Sequence, residues 1–341
     1  MLRAAVVGGS GYIGGELLRL LLCHPRVEVT AVTSERLAGR RADGPHPNLR
    51  GLTELRFAPL ADLGRCDVVF VARAHTETMQ IMPRLAALAD QVVDLSADFR
   101  LADPRVYAEY YGVTHTAPEM LPSFVPGLPE LYRERLRAAD RVSVPGCMAT
   151  AAILALHPLA AAGLITGDVT VDARTGSSGS GSSAGPANLH AERSGAMRVF
   201  APLRHRHEVE ISQATGCPVR MTATGVEAVR GVQVLCRARL VDGPGEGDVR
   251  AAYRERYRDE PFVRVVAHRR GLHRLPEPKI LSGANLCDVG FAVAEESRTV
   301  LAVSALDNLV KGGAGNAVQC LNLRMDWPER LGLEFPGLHP N

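Results

Sequence analysis

Three groups of residues in this 341-residue chain could do chemistry. Cys147 follows a Pro-Gly turn in "VSVPGCMATAAILALHPL" (142–159), at the start of an apolar run of good helix formers. A thiol at a helix N-terminus meets unpaired backbone N–H groups and the positive end of the helix dipole, which favour the thiolate. That placement suits a nucleophile, although a free cysteine is also often a small buried apolar residue. His205 and His207 in "PLRHRHEVEI" lie about sixty residues downstream and could move protons for such a thiolate. On an extended segment the two are expected to point apart, so that at most one imidazole faces the thiol. No further ligands nearby point to a metal. The Gly/Ser stretch "RTGSSGSGSSAG" (174–185), with Arg174 and Ser177, reads as a flexible linker or as a loop of backbone amides for an anion, and its mid-domain position favours the loop.

A second constellation lies at the N-terminus. In "GGSGYIGG", Gly9, Gly11 and Gly14 match G-x-G-x-x-G between an apolar strand-like run and a helical one, with Ser10, Tyr12 and Ile13 between them. Glycines there allow a tight turn and close approach of a pyrophosphate, whose charge the helix N-terminus favours. At the end of the next apolar run, "TSER" places Ser34, Glu35 and Arg36 where an NAD enzyme usually offers an acid to the ribose hydroxyls. Ser34 and Arg36, with Arg40 and Arg41 nearby, would suit a 2′-phosphate, so NADP(H) is the expected cofactor despite Glu35.

The elements that must hold these groups follow from patterning. Short apolar runs at 3–8, 27–34, 67–72 and 91–96, with helical sequence at 11–23 and 76–89, predict βαβ units and a parallel sheet. Beyond the helix after Cys147, alternating runs at 231–240 and 298–306 predict a mostly antiparallel sheet. "DNLVKGGAGNAVQCLNLRM" (307–325) reads as a turn and helix returning to the first domain. The expected fold is α/β: a Rossmann-like N-terminal domain over 1–146, completed by 307–341, and an α+β catalytic and oligomerisation domain over 147–306.

Composition bounds the function. With 46% hydrophobic and 22% charged residues and no apolar span near membrane length, the chain reads as a globular protein expected in the cytoplasm, with no membrane association. A net charge of +2 lacks the basic excess expected of a nucleic-acid binder. Seven scattered cysteines without a CxxC pair predict reduced thiols and no zinc. Lys279 and Lys311 are the only lysines.

Six segments in order, "GGSGYIGGELLRLLLCHP", "DLSADFRL", "PGLPELY", "VSVPGCMATAAILAL", "HRHEVEI" and "DNLVKGGAGNAVQ", resemble the N-acetyl-γ-glutamyl-phosphate reductases over nearly the whole chain. Val144 and Met148 around the cysteine, and the expanded Gly/Ser loop, look closer to the branch that reduces an α-aminoadipyl phosphate borne on a small amino-group carrier protein in lysine biosynthesis. Arg204, where a glycine commonly precedes the first histidine, departs from the family. The resemblance implies an NADPH-dependent reduction through a Cys147 thioester, with His205 as first choice for the proton relay and His207 on substrate. It further implies that Asn308 holds the nicotinamide amide, and that Arg100, Arg174, Ser177 or Lys311 holds substrate. It also implies a homo-oligomer and an acidic carrier partner, for which Arg264, Arg269, Arg270 and Arg274 form a candidate docking cluster. Free N-acetylglutamyl phosphate in arginine biosynthesis is the competing substrate, and a non-enzymatic NADP-binding regulator is the competing class.

Overall fold

A computed structural model describes residues 1–339; Pro340 and Asn341, the end of the expected returning segment, lie outside the described residues. The chain divides into two compact units, Met1–Pro145 with Gly313–Glu334, and Gly146–Gly312 with the residues from Phe335 onward.

The first unit contains β1 (Leu2–Val7), α1 (Tyr12–Leu22), β2 (Val27–Thr33), β3 (Phe57–Ala58), β4 (Cys66–Val71), α2 (Thr78–Leu88), β5 (Ala89–Asp94), α3 (Pro104–Tyr111), β6 (Val125–Pro126), α4 (Pro129–Arg137) and β7 (Arg141–Ser143). Its sheet is wholly parallel, in the order β3-β2-β1-β4-β5-β7-β6. Ala4, Ala5, Val6 and Val7 of β1 and Val68–Val71 of β4 are fully buried, as central strands covered on both faces must be. The order reverses between β1 and β4, and ligands of such sheets sit outside the carboxyl ends of the strands at that switch point.

The second unit contains α5 (Cys147–Ala161), β8 (Ile165–Thr175), α6 (His190–Arg193), β9 (Arg198–Ala201), α7 (His207–Thr215), β10 (Val219–Gly225), β11 (Val232–Leu240), α8 (Glu246–Tyr257), β12 (Val263–Val265), β13 (Cys287–Ala294) and β14 (Thr299–Leu306). Its sheet runs β12-β13-β14-β11-β8-β10-β9; the β8–β10 and β12–β13 pairs are parallel and the other four antiparallel. α5 is apolar all round and lies buried among α7, α8 and the central strands. Two hydroxyls of α8 tie down its backbone, Tyr253 donating to Ala155 O at 2.5 Å and Tyr257 to Leu154 O at 2.7 Å. After β14 a π-turn, Val310–Ala314, leads into α9 (Gly315–Arg324), which packs on α1 and α4.

Three boundaries differ from the sequence expectation: Gly146, the residues from Phe335 onward and residues 307–312 group with the second unit rather than the first. For 307–312 the cause is polar: the fully buried Asp307 carboxylate accepts from the Gly283 amide at 2.7 Å and from Arg230 Nη1 at 3.1 Å, and Asn308 Oδ1 accepts from the Gly231 amide at 2.7 Å.

Candidate active site and cofactor cradle

In the first unit, Gly8 (φ +80°) and Gly14 close the turn between β1 and α1. A Cβ on Gly8 would stand 2.5 Å from Ala72 O, and one on Gly14 2.5 Å from Gly8 O, so neither position admits a side chain. Gly9 is tight against Val32, whereas Gly11, the α1 N-cap without a side-chain cap, has room for a Cβ, which would stand 3.8 Å from Gly8 O. The first helical bond is donated by Gly15 N–H to Gly11 O, so the amides of Tyr12, Ile13 and Gly14 open the helix. No acid occupies that first turn. An anion-binding end results. Ser10 Oγ and Ser34 Oγ are 2.9 Å apart at the end of β2. Glu35 turns away to accept from the Leu60 amide at 2.9 Å. Arg36 is exposed beside it, while Arg41 is engaged by Asp43 and Glu54. These groups fit a dinucleotide with a 2′-phosphate.

In the second unit, Cys147 is the first residue of α5 and Gly146 its N-cap. The histidine segment differs from expectation. It is the start of α7, not an extended run, and the two imidazoles lie together, their centroids 4.5 Å apart at 77°. His207 lies against the residue before the thiol: a Cβ on Gly146 would stand 2.1 Å from His207 Nε2. Glu210, one turn along α7 and 4% exposed, joins the two: its Oε2 accepts from the Gly146 amide at 2.8 Å and its Oε1 is 3.8 Å from His207 Nε2. Sequence reasoning missed Glu210. Its signal is a carboxylate i+3 from a histidine, which shares a face only on a helix. His205 Nδ1 accepts from the His207 amide at 3.1 Å, so a neutral His205 carries its proton on Nε2. Burial, with Arg206 beside it, pushes the His205 pKa down to about 4. His205 is therefore neutral at pH 7.

Several of the expected binding residues have partners within the protein. Arg100 donates through Nε to Val144 O at 2.8 Å and through Nη2 to Leu95 O at 3.0 Å, so its guanidinium braces the backbone leading toward the cysteine. Arg174 pairs with Asp172 at 2.9 Å, on the strand face opposite the buried Val169, Val171 and Ala173. Lys311 is fully buried in the π-turn Val310–Ala314, with Nζ 5.8 Å from the centre of the Phe262 ring. Asn308 spends its amide internally, its Nδ2 donating to Ser178 Oγ at 2.9 Å besides the Gly231 bond. In the Gly/Ser loop the amides of Gly176, Ser177 and Ser178 donate to Gly231, Ala228 and Val229, and those of Gly179 and Gly181 close back on the loop. Of the four candidate docking arginines, Arg264 is held by the buried Asp288 at 2.7 Å. Arg269, Arg270 and Arg274 are exposed. Among the described residues no cluster of three His, Cys, Asp or Glu could hold a metal, and no helix is long and apolar enough to cross a membrane.

A parallel sheet with a glycine turn at its switch point, followed by a mixed-sheet unit opening on a helix-start cysteine, defines a nucleotide-dependent dehydrogenase class. The chain belongs to the semialdehyde dehydrogenase family: residues 3–139 match its NAD-binding domain and residues 147–308 its dimerisation domain. A Deinococcus radiodurans relative, 47% identical over 98% of this chain and 97% of its own, is named LysW-L-2-aminoadipate 6-phosphate reductase. A Thermomicrobium roseum protein, 49% identical over 100% of this chain and 99% of its own, carries that name provisionally. One from Thermococcus kodakarensis, 45% identical over the full length of both, carries provisionally a name that covers aminoadipate and glutamate. Aspartate semialdehyde dehydrogenase II of Vibrio cholerae has the same fold at 15% identity, with a TM-score of 0.70 over 96% of this chain and 98% of that one.

Proposed function

We propose that this protein is an NADPH-dependent acyl-phosphate reductase that converts carrier-bound L-2-aminoadipate 6-phosphate to the 6-semialdehyde through a Cys147 thioester. The observation that carries the chemistry is the Gly146–Glu210–His207 arrangement at the start of α5. The names of relatives at 45–49% identity over the whole chain support the substrate.

In this reading the thiol proton passes to His207 Nε2, and the Glu210 carboxylate stabilises the imidazolium. The relay role thus moves from His205 to His207. The Cys147 thiolate attacks the acyl carbon, the C–O bond to phosphate breaks, and phosphate leaves with the bonding pair. The remaining thioester is easier to reduce than a carboxylate. NADPH, when bound, supplies the hydride for that carbon, and Gly8–Gly14, Ser34 and Arg36 would hold it. His207 gives its proton to the carbonyl oxygen as it becomes a thiohemiacetal, takes it back on collapse, and the C–S bond breaks to release semialdehyde and thiolate. His205, neutral with Nε2–H outward from its Nδ1 bond, is a hydrogen-bond donor for substrate oxygen. Arg100 and Asn308 would position the backbone around the site, and Arg174, Ser177 and Lys311 remain candidates for holding substrate.

The second unit would also carry the homo-oligomer interface, as the dimerisation-domain match suggests. Seven free cysteines agree with a reducing cytoplasm. The acidic carrier would meet the exposed tip bearing Arg269, Arg270, Leu272 and Arg274.

The test follows NADPH oxidation with the carrier-bound aminoadipyl phosphate and with free N-acetylglutamyl phosphate. Turnover of the carrier-bound substrate at much higher kcat/KM is expected, with Arg269→Glu/Arg270→Glu raising KM for that substrate alone and less so at high salt. Faster turnover of the free N-acetyl substrate would move the protein to the arginine branch.

A further inference from the structure

Asp98 lies in the "DLSADFR" segment, which the proposed chemistry leaves largely unused. It is fully buried, and every atom of its carboxylate is engaged. Oδ1 accepts from the Thr76 amide at 2.7 Å and from the Tyr107 hydroxyl at 2.8 Å; Oδ2 accepts from the Met79 amide at 2.9 Å. Its own backbone is fixed too, the carbonyl accepting from His115 Nε2 at 2.8 Å and the amide donating to Ser96 Oγ at 3.2 Å. What this hub holds is the loop 72–77 between β4 and α2. His75 is tied beside it, its Nδ1 accepting from the Ala97 amide at 3.1 Å.

Thr76 is held at φ +70°, a left-handed conformation that a β-branched residue adopts only at a cost. The loop stands beside the cofactor cradle. Ala72 donates to Val7 O at 2.8 Å, and Ala72 O presses so closely on Gly8 that a Cβ there would be 2.5 Å away. Since β1 and β4 flank the switch point, the turn after β1 and the loop after β4 form the two walls of the crevice. In a sheet built of two mononucleotide-binding halves, the β1–β2 side takes the adenosine half. The β4 side is left for the nicotinamide half.

We infer that Asp98 is a positioning residue for the cofactor: by holding Thr76 left-handed it fixes loop 72–77 as the nicotinamide-side wall of the crevice. The inference rests on the reading of the glycine turn as a dinucleotide cradle. It separates the two halves of the ligand. Adenosine 2′,5′-bisphosphate contains the adenosine half alone and should be indifferent to this loop.

Calorimetric titration of the full chain with NADPH and with adenosine 2′,5′-bisphosphate tests it. Asp98→Asn puts an amide N–H against the Met79 N–H and should weaken NADPH by about tenfold, in keeping with the cost of one strained residue, while the bisphosphate changes by less than about twofold. Adding Thr76→Gly, which adopts positive φ freely, should restore part of the lost NADPH affinity. Thr76→Pro, which forbids this φ and removes the N–H while leaving buried Asp98 in place, should reproduce the loss if Asp98→Asn does not fold. Equal losses for both ligands, no loss for either, or no recovery in the double variant would overturn the inference. Failure of the wild type to bind either ligand would instead refute the cradle itself.

Discussion

Glu210 does two things with one carboxylate, and its chemistry explains why a neutral substitute should fail. One oxygen accepts from the Gly146 amide, just before Cys147, and the other faces His207. Glu210→Gln keeps an acceptor for Gly146 but removes the charge that stabilises an imidazolium, so kcat should fall by about 10²-fold with little change in KM, the usual scale of one lost acid–base partner. A variant with unchanged kcat would remove His207 and Glu210 from proton transfer. His205 makes a different prediction. Its pKa is lowered to about 4 from the usual 6.5, first by burial and then by Arg206. The unfolded chain therefore binds the proton more readily than the folded one between those values. Stability from this group is present above pH 6.5 and is lost as pH falls toward 4. The advantage of wild type over His205→Asn in thermal melts should shrink, or reverse, between pH 7 and pH 4.5. An advantage that grows on acidification would contradict the neutral assignment.

At the scale of elements, the legible parts of the fold were those with an uninterrupted period. β4 (VVFVA, 68–72) and α5 (AAILAL, 151–156) carry apolar runs of five or more residues, β1, β5 and α1 carry shorter ones, and β2 alternates. β3 and β6 have two residues each and β7 three, too short for any period. α7 misleads for a physical reason. "HEVEI" alternates as a strand does, but Glu208 and Glu210 are as buried as Ile211, because Glu208 accepts from the Met221 amide and Glu210 from Gly146. Polar residues with distant partners break the link between polarity and exposure on which pattern reading rests. Asn308 is similar, since its partners Gly231 and Ser178 lie 77 and 130 positions away. Cys147 and the glycine turn were legible because each marks a helix start, a local feature. The helix start also makes a prediction. Gly146→Ala would drive a methyl into His207, so alkylation of Cys147 by iodoacetamide should slow by at least about tenfold although the chain still folds. Wild-type alkylation would show that His207 does not pack on the nucleophile turn.

At the scale of the whole molecule, the chain crosses between its two units at Pro145–Gly146, Gly312–Gly313 and Glu334–Phe335; the first unit matches an NAD-binding domain and the second presents Cys147 at a helix start. The first unit's tools are a glycine turn, an uncapped helix start and a braced loop. The second unit's tools are a helix-start cysteine and a buried Glu–His pair. In the proposed reaction their common outcome would be an acyl group that leaves phosphate, rests on the Cys147 sulfur and is then reduced. That resting state can be seen directly. Mixing the protein with the carrier-bound acyl phosphate in the absence of NADPH, quenching in acid and mapping peptides by mass should find the acyl group on Cys147, released as semialdehyde when NADPH is added before the quench. Phosphate release without any acyl adduct on Cys147, or an adduct on another residue that NADPH discharges, would contradict the account.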